Sequence, residues 1–416
     1  MEMSHLAEAT TIRNIPFKNR IIKAAMSEAL ANDAGQPSEL HFNLYAAWAK
    51  GGLGCAISGN VMVDVRAKNE PGVVVIESER DLAQLKQWAE VGKRYGMVQL
   101  VQLSHPGRQC PKGLNKETVA PSAVPFSPAL ATTFGTPREL REHEILDIIQ
   151  RFATAAQICE KAGFEGVQLH GAHGYLISQF LSPLTNRRQD QWGGPIENRM
   201  RFLLEIYQAV RAATSDKFII SVKLNSADFQ RGGITEEEVI AVFKAIDAAG
   251  IDLIEVSGGT YEAPAMAGAK AENRKASSIA REAYFLDFAE KIRKQVKCHL
   301  MVTGGFRTVQ GMNAALDSGA CDFIGIARPL AVETDLTERL IAGQDVRYAV
   351  NKIKTGIALI DKMAIMEIIW YAAQFKEIAR GKRPNPELSP LKVFLKYAKN
   401  NLAAIIRGQI NSRRRA

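Results

Sequence analysis

The chain has 416 residues, of which 46% are hydrophobic and 23% are charged. This composition is typical of a globular protein and excludes disordered, collagen-like and fibrous classes. Eleven Lys/Arg and two Asp/Glu follow residue 375, and this excess equals the whole net charge of +9. The preceding residues are therefore close to neutral overall, and we expect no nucleic-acid partner for them.

Five cysteines are scattered along the chain without a CxxC pair. This pattern favours neither a zinc site, nor an iron–sulfur cluster, nor a disulfide framework, and it suits a reducing compartment. The N-terminal residues are polar and do not resemble a secretory signal, and no run of 18 apolar residues is present to span a membrane. We therefore expect a cytoplasmic protein that binds no metal.

Short apolar runs alternate with longer amphipathic segments along most of the chain. Eight runs predict β-strands: RIIKAAMS (20–27), CAISGNVMVD (55–64), MVQLVQL (97–103), GVQLHGA (166–172), FIISVKLN (218–225), LIEVSGG (253–259), HLMVTGG (299–305) and FIGIARPL (323–330). Several are almost continuously apolar, as is typical of parallel strands covered on both faces.

A segment with helical periodicity follows each of these strands. The predicted helices lie within 38–52, 82–96, 142–163, 196–214, 235–250, 284–296, 308–320 and 332–344. Eight strand–helix units of this length predict a closed (β/α)8 TIM barrel. The alternative is a doubly wound open sheet, which is disfavoured because no GxGxxG motif follows the first strand.

We assign the barrel to residues 1–335 and a helical C-terminal extension to residues 336–416. Residues 345–380 predict more helix, GKRPNPELSP (381–390) predicts a linker, and residues 391–409 predict a basic amphipathic helix. The predicted apolar stripe of that last helix is Leu391, Phe394, Leu395, Ala398, Leu402 and Ile405. Two interpretations remain open: the helix docks on the barrel or on a second subunit, or it attaches to an anionic membrane surface.

Polar residues at the carboxyl ends of the strands are the site candidates, because barrel active sites lie there. Gly304 and Gly305 end the seventh strand, and Arg328 follows the eighth. Glycine lets backbone amides approach a phosphate closely, and arginine adds a charged, bidentate contact. This end of the barrel therefore suits a phosphate group, although a plain strand-to-helix turn with a solvated arginine is the alternative.

The segment HGAHGY after the fourth strand places His170 and His173 three residues apart, with Tyr175 close behind. This spacing suits two metal ligands or two neutral donors directed at one oxygen. A metal is disfavoured because the loop offers no third ligand. Two structural histidines are the remaining alternative. A tyrosine phenol normally keeps its proton at neutral pH, so Tyr175 is a candidate proton donor.

These residues carry a family resemblance. HGAHGYLISQFLSPLTNRRQDQWGGPIENRMRF (170–202) resembles the characteristic motif of the old yellow enzyme family, the FMN-dependent ene-reductases. QLSHPGR (102–108), TGG (303–305) and GIARPL (325–330) also match that family, and the resemblance covers roughly residues 10–340. It implies a TIM barrel with FMN at its mouth and NADPH or NADH as the hydride donor.

The resemblance also implies cofactor contacts. Ten residues match positions that bind the flavin: Met26, Ser27, Ser58, Gly59, Gln102, Lys223, Gly304, Gly305, Ala327 and Arg328. Gln102 matches the contact to the pyrimidine edge, and Ser27 stands near flavin O4 and N5, where relatives carry Thr or Cys. Lys223 lies near N1 and O2, where most relatives carry Arg; it keeps the charge but loses the planar fork.

The implied substrate is a small activated alkene. His170 and His173 match the pair that binds its carbonyl oxygen, and Tyr175 matches the residue that protonates its α-carbon after hydride from flavin N5 reaches the β-carbon. The implied kinetics are ping-pong, because NAD(P)H leaves before the alkene binds the same face. The oligomeric state and the choice between NADH and NADPH stay open.

Three alternative functions remain at this point. A demethylase or dienoyl-CoA reductase of the same wider family needs clustered cysteines for an iron–sulfur segment, which this chain lacks. A non-redox aldolase would use Lys223 to form a Schiff base. A flavin-binding scaffold without turnover would bind FMN but would not react with NAD(P)H.

Overall fold

The computed structural model describes residues 5–128, 130–259, 285–344, 353–361 and 366–399. Its central element is a barrel of eight parallel strands: β1 (Ile21–Lys23), β2 (Cys55–Ile57), β3 (Val98–Ser104), β4 (Gly166–Gly171), β5 (Ile219–Asn225), β6 (Leu253–Ser257), β7 (His299–Thr303) and β8 (Phe323–Ile326). Each strand pairs with its neighbours in chain order, and β8 pairs with β1 to close the barrel. The sequence-based prediction of a (β/α)8 barrel is confirmed.

Eight helices follow the eight strands: α1 (Glu39–Lys50), α2 (Leu82–Lys93), α3 (Glu142–Ala162), α4 (Arg201–Ala213), α5 (Glu236–Ala249), α6 (Leu286–Arg293), α7 (Val309–Asp317) and α8 (Leu336–Ile341). Shorter helices cover Leu176–Leu181, Ile196–Arg199 and Ala358–Asp361. Single 3-10 turns cover His5–Ala7, Glu79–Asp81 and Arg328–Ala331. None of the helices within these described segments is both long and apolar enough to cross a membrane.

Small strands complete the barrel. Thr10–Ile12 and Ile15–Phe17 form an antiparallel hairpin, Val61–Met62 pairs beside β3, and Val119–Ala120 pairs with Arg138–Glu139. Phe17 of the hairpin packs against Phe323 of β8, with ring centroids 5.2 Å apart. Because Phe323 belongs to the apolar cluster inside the barrel, the hairpin closes that cluster at the amino ends of the strands.

Strand alternation separates two layers of side chains. In β1, Ile22 belongs to the cluster inside the barrel, whereas Ile21 belongs to the larger core between strands and helices. Because side chains alternate along a strand, Val167 and Leu169 of β4 face outward into the core that the helices cover. The alternate positions of β4, Gln168 and His170, therefore face inward. This alternation places a polar layer above the apolar floor of the barrel.

The extension packs against the barrel through α9 (Met366–Ala379). Phe375 meets Trp48 of α1 edge to face, with centroids 5.4 Å apart, and Asn43 donates a hydrogen bond to the carbonyl of Ala379 at 3.1 Å. A further helix, α10 (residues 390–399), follows the predicted linker. The boundary at residue 335 stays a prediction, and the helix prediction for 345–352 lies outside the described residues.

The apolar stripe predicted for the tail is only partly correct in its described part: Leu391 is half-buried and Phe394 packs on the core, but Leu395 and Ala398 do not. Val393 is buried, and Phe394 and Tyr397 pack against the core, whereas Leu395 is 59% exposed and Ala398 is exposed. The reason is that Trp370 donates to the carbonyl of Leu388 at 2.8 Å, which fixes the approach of α10 and selects a neighbouring face of it. The predicted stripe residues Leu402 and Ile405 lie outside the described residues.

Candidate functional site

A cavity of about 240 Å³ opens at the carboxyl ends of the barrel strands. Eleven of the thirteen residues predicted from the sequence line it: Met26, Ser27, Gln102, His170, His173, Tyr175, Lys223, Gly304, Gly305, Ala327 and Arg328. These residues come from six different strand ends and converge only because the sheet closes on itself. Further lining residues include Asn60, Ser257, Phe285, Arg307, Glu367 and Tyr371.

The floor of the cavity is a connected set of buried polar side chains. Gln102 donates to Gln168 at 2.8 Å, and Gln168 donates to the Oε2 atom of Glu255 at 2.9 Å. The Oε1 atom of Glu255 lies 2.9 Å from the Nζ atom of Lys223. Gln102 and Lys223 are thus held in place from below. Sequence reasoning missed Glu255, although a lone carboxylate in the apolar run LIEVS is a signal of an inward-facing charge.

The two imidazoles of His170 and His173 lie against each other, with ring centroids 5.3 Å apart and planes at 89°. Burial, and to a lesser degree the neighbouring ammonium of Lys223, lowers the pKa of both histidines well below the ordinary 6.5. Both rings are therefore neutral at pH 7, and each carries one N–H. The buried Nδ1 atom of His170 has no hydrogen-bond partner among the described residues, so a ligand in the cavity can satisfy it.

The turn after β4 directs His173 into the cavity. His173 has φ = 60°, and Gly174 follows with φ = 77°, so two consecutive residues adopt left-handed conformations. The backbone N–H of His173 donates to Asn225, and Gln109 donates to its carbonyl at 2.8 Å. The Nε2 atom of His173 lies 2.8 Å from the hydroxyl of Ser257. These contacts hold a strained residue in one orientation.

Tyr175 stands at the start of the short helix Leu176–Leu181, next to the imidazole pair. Its ring centroid is 4.5 Å from that of His170, and the Nδ2 atom of Asn69 donates to its hydroxyl at 3.3 Å. Tyr175 is 6% exposed. The phenol is therefore oriented from one side by Asn69, a loop residue that no sequence motif singled out.

Ser27 lies at the end of β1, and its hydroxyl donates to the carboxylate of Glu70. Burial raises the pKa of Glu70 to about 7; the nearby Glu28 adds to this effect, and the hydrogen bond from Ser27 opposes it. Glu70, like Asn69, belongs to the loop after β2 and carried no signal in the sequence pattern. While the Ser27 hydroxyl donates its proton to Glu70, its oxygen can only accept a further hydrogen bond.

Two of the thirteen predicted residues lie beside the cavity and not in its lining. The backbone N–H of Gly59 donates to Glu28 at 3.0 Å, and the hydroxyl of Ser58 donates to the carbonyl of Gly59 at 2.7 Å. Asn60 lines the cavity at this point. Main-chain contact of Ser58 and Gly59 with a flavin stays a prediction.

The opposite end of the cavity has the donors that a phosphate requires. Gly304 and Gly305 have φ of 105° and 102°, a backbone conformation that side-chain-bearing residues rarely adopt. Arg307 and Arg328 also line this end. The Nη1 atom of Arg328 lies 2.9 Å from the Oε2 atom of Glu367, so its guanidinium forms an ion pair with α9.

The donor set fits flavin mononucleotide. Two arginines and a glycine pair stand at one end for the phosphate, and Gln102 with Lys223 stands deeper for the polar edge of the ring. His170 lines the same cavity, and its buried Nδ1 atom has no hydrogen-bond partner among the described residues. Among the residues described, no group of three or more His, Cys, Asp or Glu is arranged to hold a metal ion.

Comparison with known proteins agrees with this arrangement. Residues 6–346 match the model of the NADH:flavin oxidoreductase / NADH oxidase family. The NADH-dependent flavin oxidoreductase iliE of Hypocrea jecorina (strain QM6a) is 38% identical over 363 residues, which cover 82% of this chain and 90% of that protein.

Two solved structures share the fold. The 2-naphthoyl-CoA reductase complex with 2-naphthoyl-CoA is similar with a TM-score of 0.76 and 27% identity, over 89% of this chain and 58% of that longer one. The old yellow enzyme homologue from Zymomonas mobilis has a TM-score of 0.71 and 26% identity, over 83% of this chain and 94% of its own. The chain therefore belongs to the NADH:flavin oxidoreductase / NADH oxidase family as an old yellow enzyme-like oxidoreductase, with FMN as its cofactor and NAD(P)H as its hydride donor.

Proposed function

We propose that this enzyme reduces the carbon–carbon double bond of a small activated alkene, such as an α,β-unsaturated ketone. The observation that carries the proposal is the pair of neutral imidazoles, that of His170 buried and that of His173 half-buried, with the phenol of Tyr175 beside them, all on the wall of one cavity. FMN, when bound, accepts a hydride from NAD(P)H and passes it to the alkene.

The imidazole pair stabilises the charge that this reaction creates. Addition of hydride at the β-carbon moves negative charge onto the carbonyl oxygen. In this proposal His170 and His173 present N–H groups to that oxygen. Hydrogen bonds with Asn225 and Ser257 hold His173. The rings of His173 and Tyr175 pack on His170, so little reorganisation is needed. We assign the Ser257 hydroxyl as the donor to Nε2 of His173, which leaves the imidazole proton on Nδ1 for donation.

Tyr175 completes the reaction by giving a proton to the α-carbon. Its oxygen accepts a hydrogen bond from Asn69, and a phenol can accept one hydrogen bond and still act as a donor. The cavity wall supports this role, because Tyr175 is nearly buried and bulk water has little access to compete with it. The negative charge of the enolate on the imidazole pair is neutralised when this proton is transferred.

The Schiff-base alternative is disfavoured by the surroundings of Lys223. Its Nζ atom is engaged in a buried contact of 2.9 Å with a carboxylate oxygen of Glu255, whereas an amine that forms a Schiff base must be free to attack a carbonyl carbon. The demethylase and dienoyl-CoA reductase alternatives require clustered cysteines. Here Cys55, Cys110, Cys159 and Cys321 are buried singly, and Cys298 is half-buried and unpaired.

The proposal is tested by the fate of isotopes. The purified enzyme is incubated without oxygen with 2-cyclohexen-1-one and a nicotinamide nucleotide dideuterated at C4, using NADH and NADPH in turn. We expect saturated ketone with one deuterium at the β-carbon, and, in D2O with unlabelled nucleotide, one deuterium at the α-carbon. Bleaching of the flavin without any saturated product from a panel of enones, nitroalkenes and maleimides would contradict the proposal.

A further inference from the structure

The extension contributes to the cavity through one face of α9. Glu367 and Tyr371, one helical turn apart, both line the phosphate end. The helix is held firmly there, because Phe375 packs on Trp48 of α1 and Gln374 exchanges two hydrogen bonds with the backbone of Asn385. The barrel alone therefore does not form the whole phosphate end.

Glu367 places a negative charge at the end of the cavity where the negatively charged flavin phosphate would bind. Its Oε2 atom lies 2.9 Å from Nη1 of Arg328, and the two side chains are only 22% and 18% exposed. Among the described residues that line the cavity, Glu367 is the one carboxylate. A flavin phosphate carries between one and two negative charges near pH 7, and it needs the same guanidinium that Glu367 already holds.

We propose that Glu367 competes with the flavin phosphate for Arg328 and thereby sets how strongly the site prefers FMN over riboflavin. The proposal rests on the assignment of FMN as cofactor. When the phosphate binds, Arg328 exchanges the carboxylate for phosphate oxygens, and Glu367 remains nearby as a repelling charge. The extension thus limits the affinity for the phosphorylated flavin, whereas it has little effect on the isoalloxazine ring.

Tyr371, the other side chain of α9 that lines the cavity, differs from Glu367 because it carries no charge. Burial raises the pKa of its phenol to about 12, so it is neutral at physiological pH and can donate a hydrogen bond without repelling an anion. The competition is therefore assigned to Glu367 alone. With Arg307 and Arg328 on the same wall, loss of the Glu367 charge leaves two cations facing the phosphate.

The test compares two ligands that differ only in the phosphate. The full chain is stripped of flavin by dialysis and titrated with FMN and with riboflavin, and Kd is read from the quenching of flavin fluorescence. We expect Glu367→Gln to raise the ratio of the riboflavin Kd to the FMN Kd on the order of tenfold, with the riboflavin Kd almost unchanged. If the glutamine variant folds poorly, Glu367→Ala is measured instead, and we expect it to raise the same ratio of Kd values.

Glu377→Gln is the matched control, because Glu377 lies on the same helix but pairs with Lys382 and Arg380 outside the cavity. We expect it to leave the ratio unchanged. A ratio that stays constant in Glu367→Gln overturns the proposal, and a ratio that falls shows that Glu367 positions Arg328 for the phosphate. Wild-type protein that binds neither flavin would overturn the cofactor assignment as well, so the two failures are distinguishable.

Discussion

Lys223 and Glu255 face each other across adjacent strands inside the barrel. They are partners in the register of β5 and β6, and the Nζ and Oε1 atoms are 2.9 Å apart. Glu255 is fully buried, and Lys223 is 4% exposed. The carboxylate of Glu255 offsets the cost of burying the Lys223 side chain, which we propose as the cation beside the flavin.

Removing one member of this pair should destabilise the protein more than removing both. Lys223→Met leaves a buried, uncompensated carboxylate, and we expect a loss of roughly 3–5 kcal/mol in the free energy of unfolding. The double variant Lys223→Met/Glu255→Leu should recover most of that loss. Thermal and urea unfolding of the two single variants and the double variant measure this coupling. Strictly additive effects would contradict the assigned ion pair.

The unpartnered nitrogen of His170 predicts a specific loss of alkene reduction. His170→Leu removes one donor to the carbonyl oxygen, and we expect the reaction of the reduced enzyme with an enone to slow by about 10²–10³-fold. His170→Asn keeps an amide donor and should slow it less. Anaerobic stopped-flow absorbance at the flavin band separates this step from reduction by NAD(P)H. Equal rates in the two variants would argue against a donor role.

Glu70 predicts an unusual pH dependence of stability. Burial raises its pKa from 4.5 to about 7, so the folded protein keeps a proton that the unfolded chain releases. The contribution of Glu70 to stability is therefore complete below pH 4.5 and is lost as the pH rises to about 7 and beyond. Glu70→Gln abolishes this titration. The melting temperature of Glu70→Gln, relative to wild type, should rise between pH 5 and pH 8.

A relative melting temperature that is flat or falls over this range would contradict the raised pKa of Glu70. Taking the difference between the two proteins is essential, because His170 and His173 act in the opposite direction. Their pKa values are lowered, so the folded protein resists protons that the unfolded chain accepts, and stability is lost as the pH falls below 6.5. That contribution is common to both proteins and cancels.

The barrel and the central residues of the site could be predicted from the sequence, because both depend on local patterns. Apolar runs gave the eight strands, and a polar residue near the carboxyl end of such a run lies close to the mouth of a closed barrel. His170 and Lys223 were found in this way. The motif around residues 170–202 then added roles that periodicity alone does not supply.

The missed residues depend on contacts between segments that are distant in sequence. Glu367 reaches Arg328 only because α9 docks on α1, and nothing in the local pattern of residues 366–379 indicates that docking. Asn69 reaches Tyr175 through an irregular loop, where no period constrains side-chain direction. The face of α10 was misassigned at Leu395 and Ala398 for the same reason, since α10 packs next to the contact between Trp370 and Leu388.

The half-reactions of Tyr175→Phe test the central claim most directly. Anaerobic stopped-flow experiments follow flavin bleaching by NAD(P)H and then its recovery on mixing with 2-cyclohexen-1-one, with Tyr207→Phe on α4 as a control outside the cavity. We predict that Tyr175→Phe keeps a near wild-type rate of flavin reduction and loses about 10²–10⁴-fold in the alkene step. Unchanged rates in both steps would contradict the assignment of Tyr175 as the proton donor.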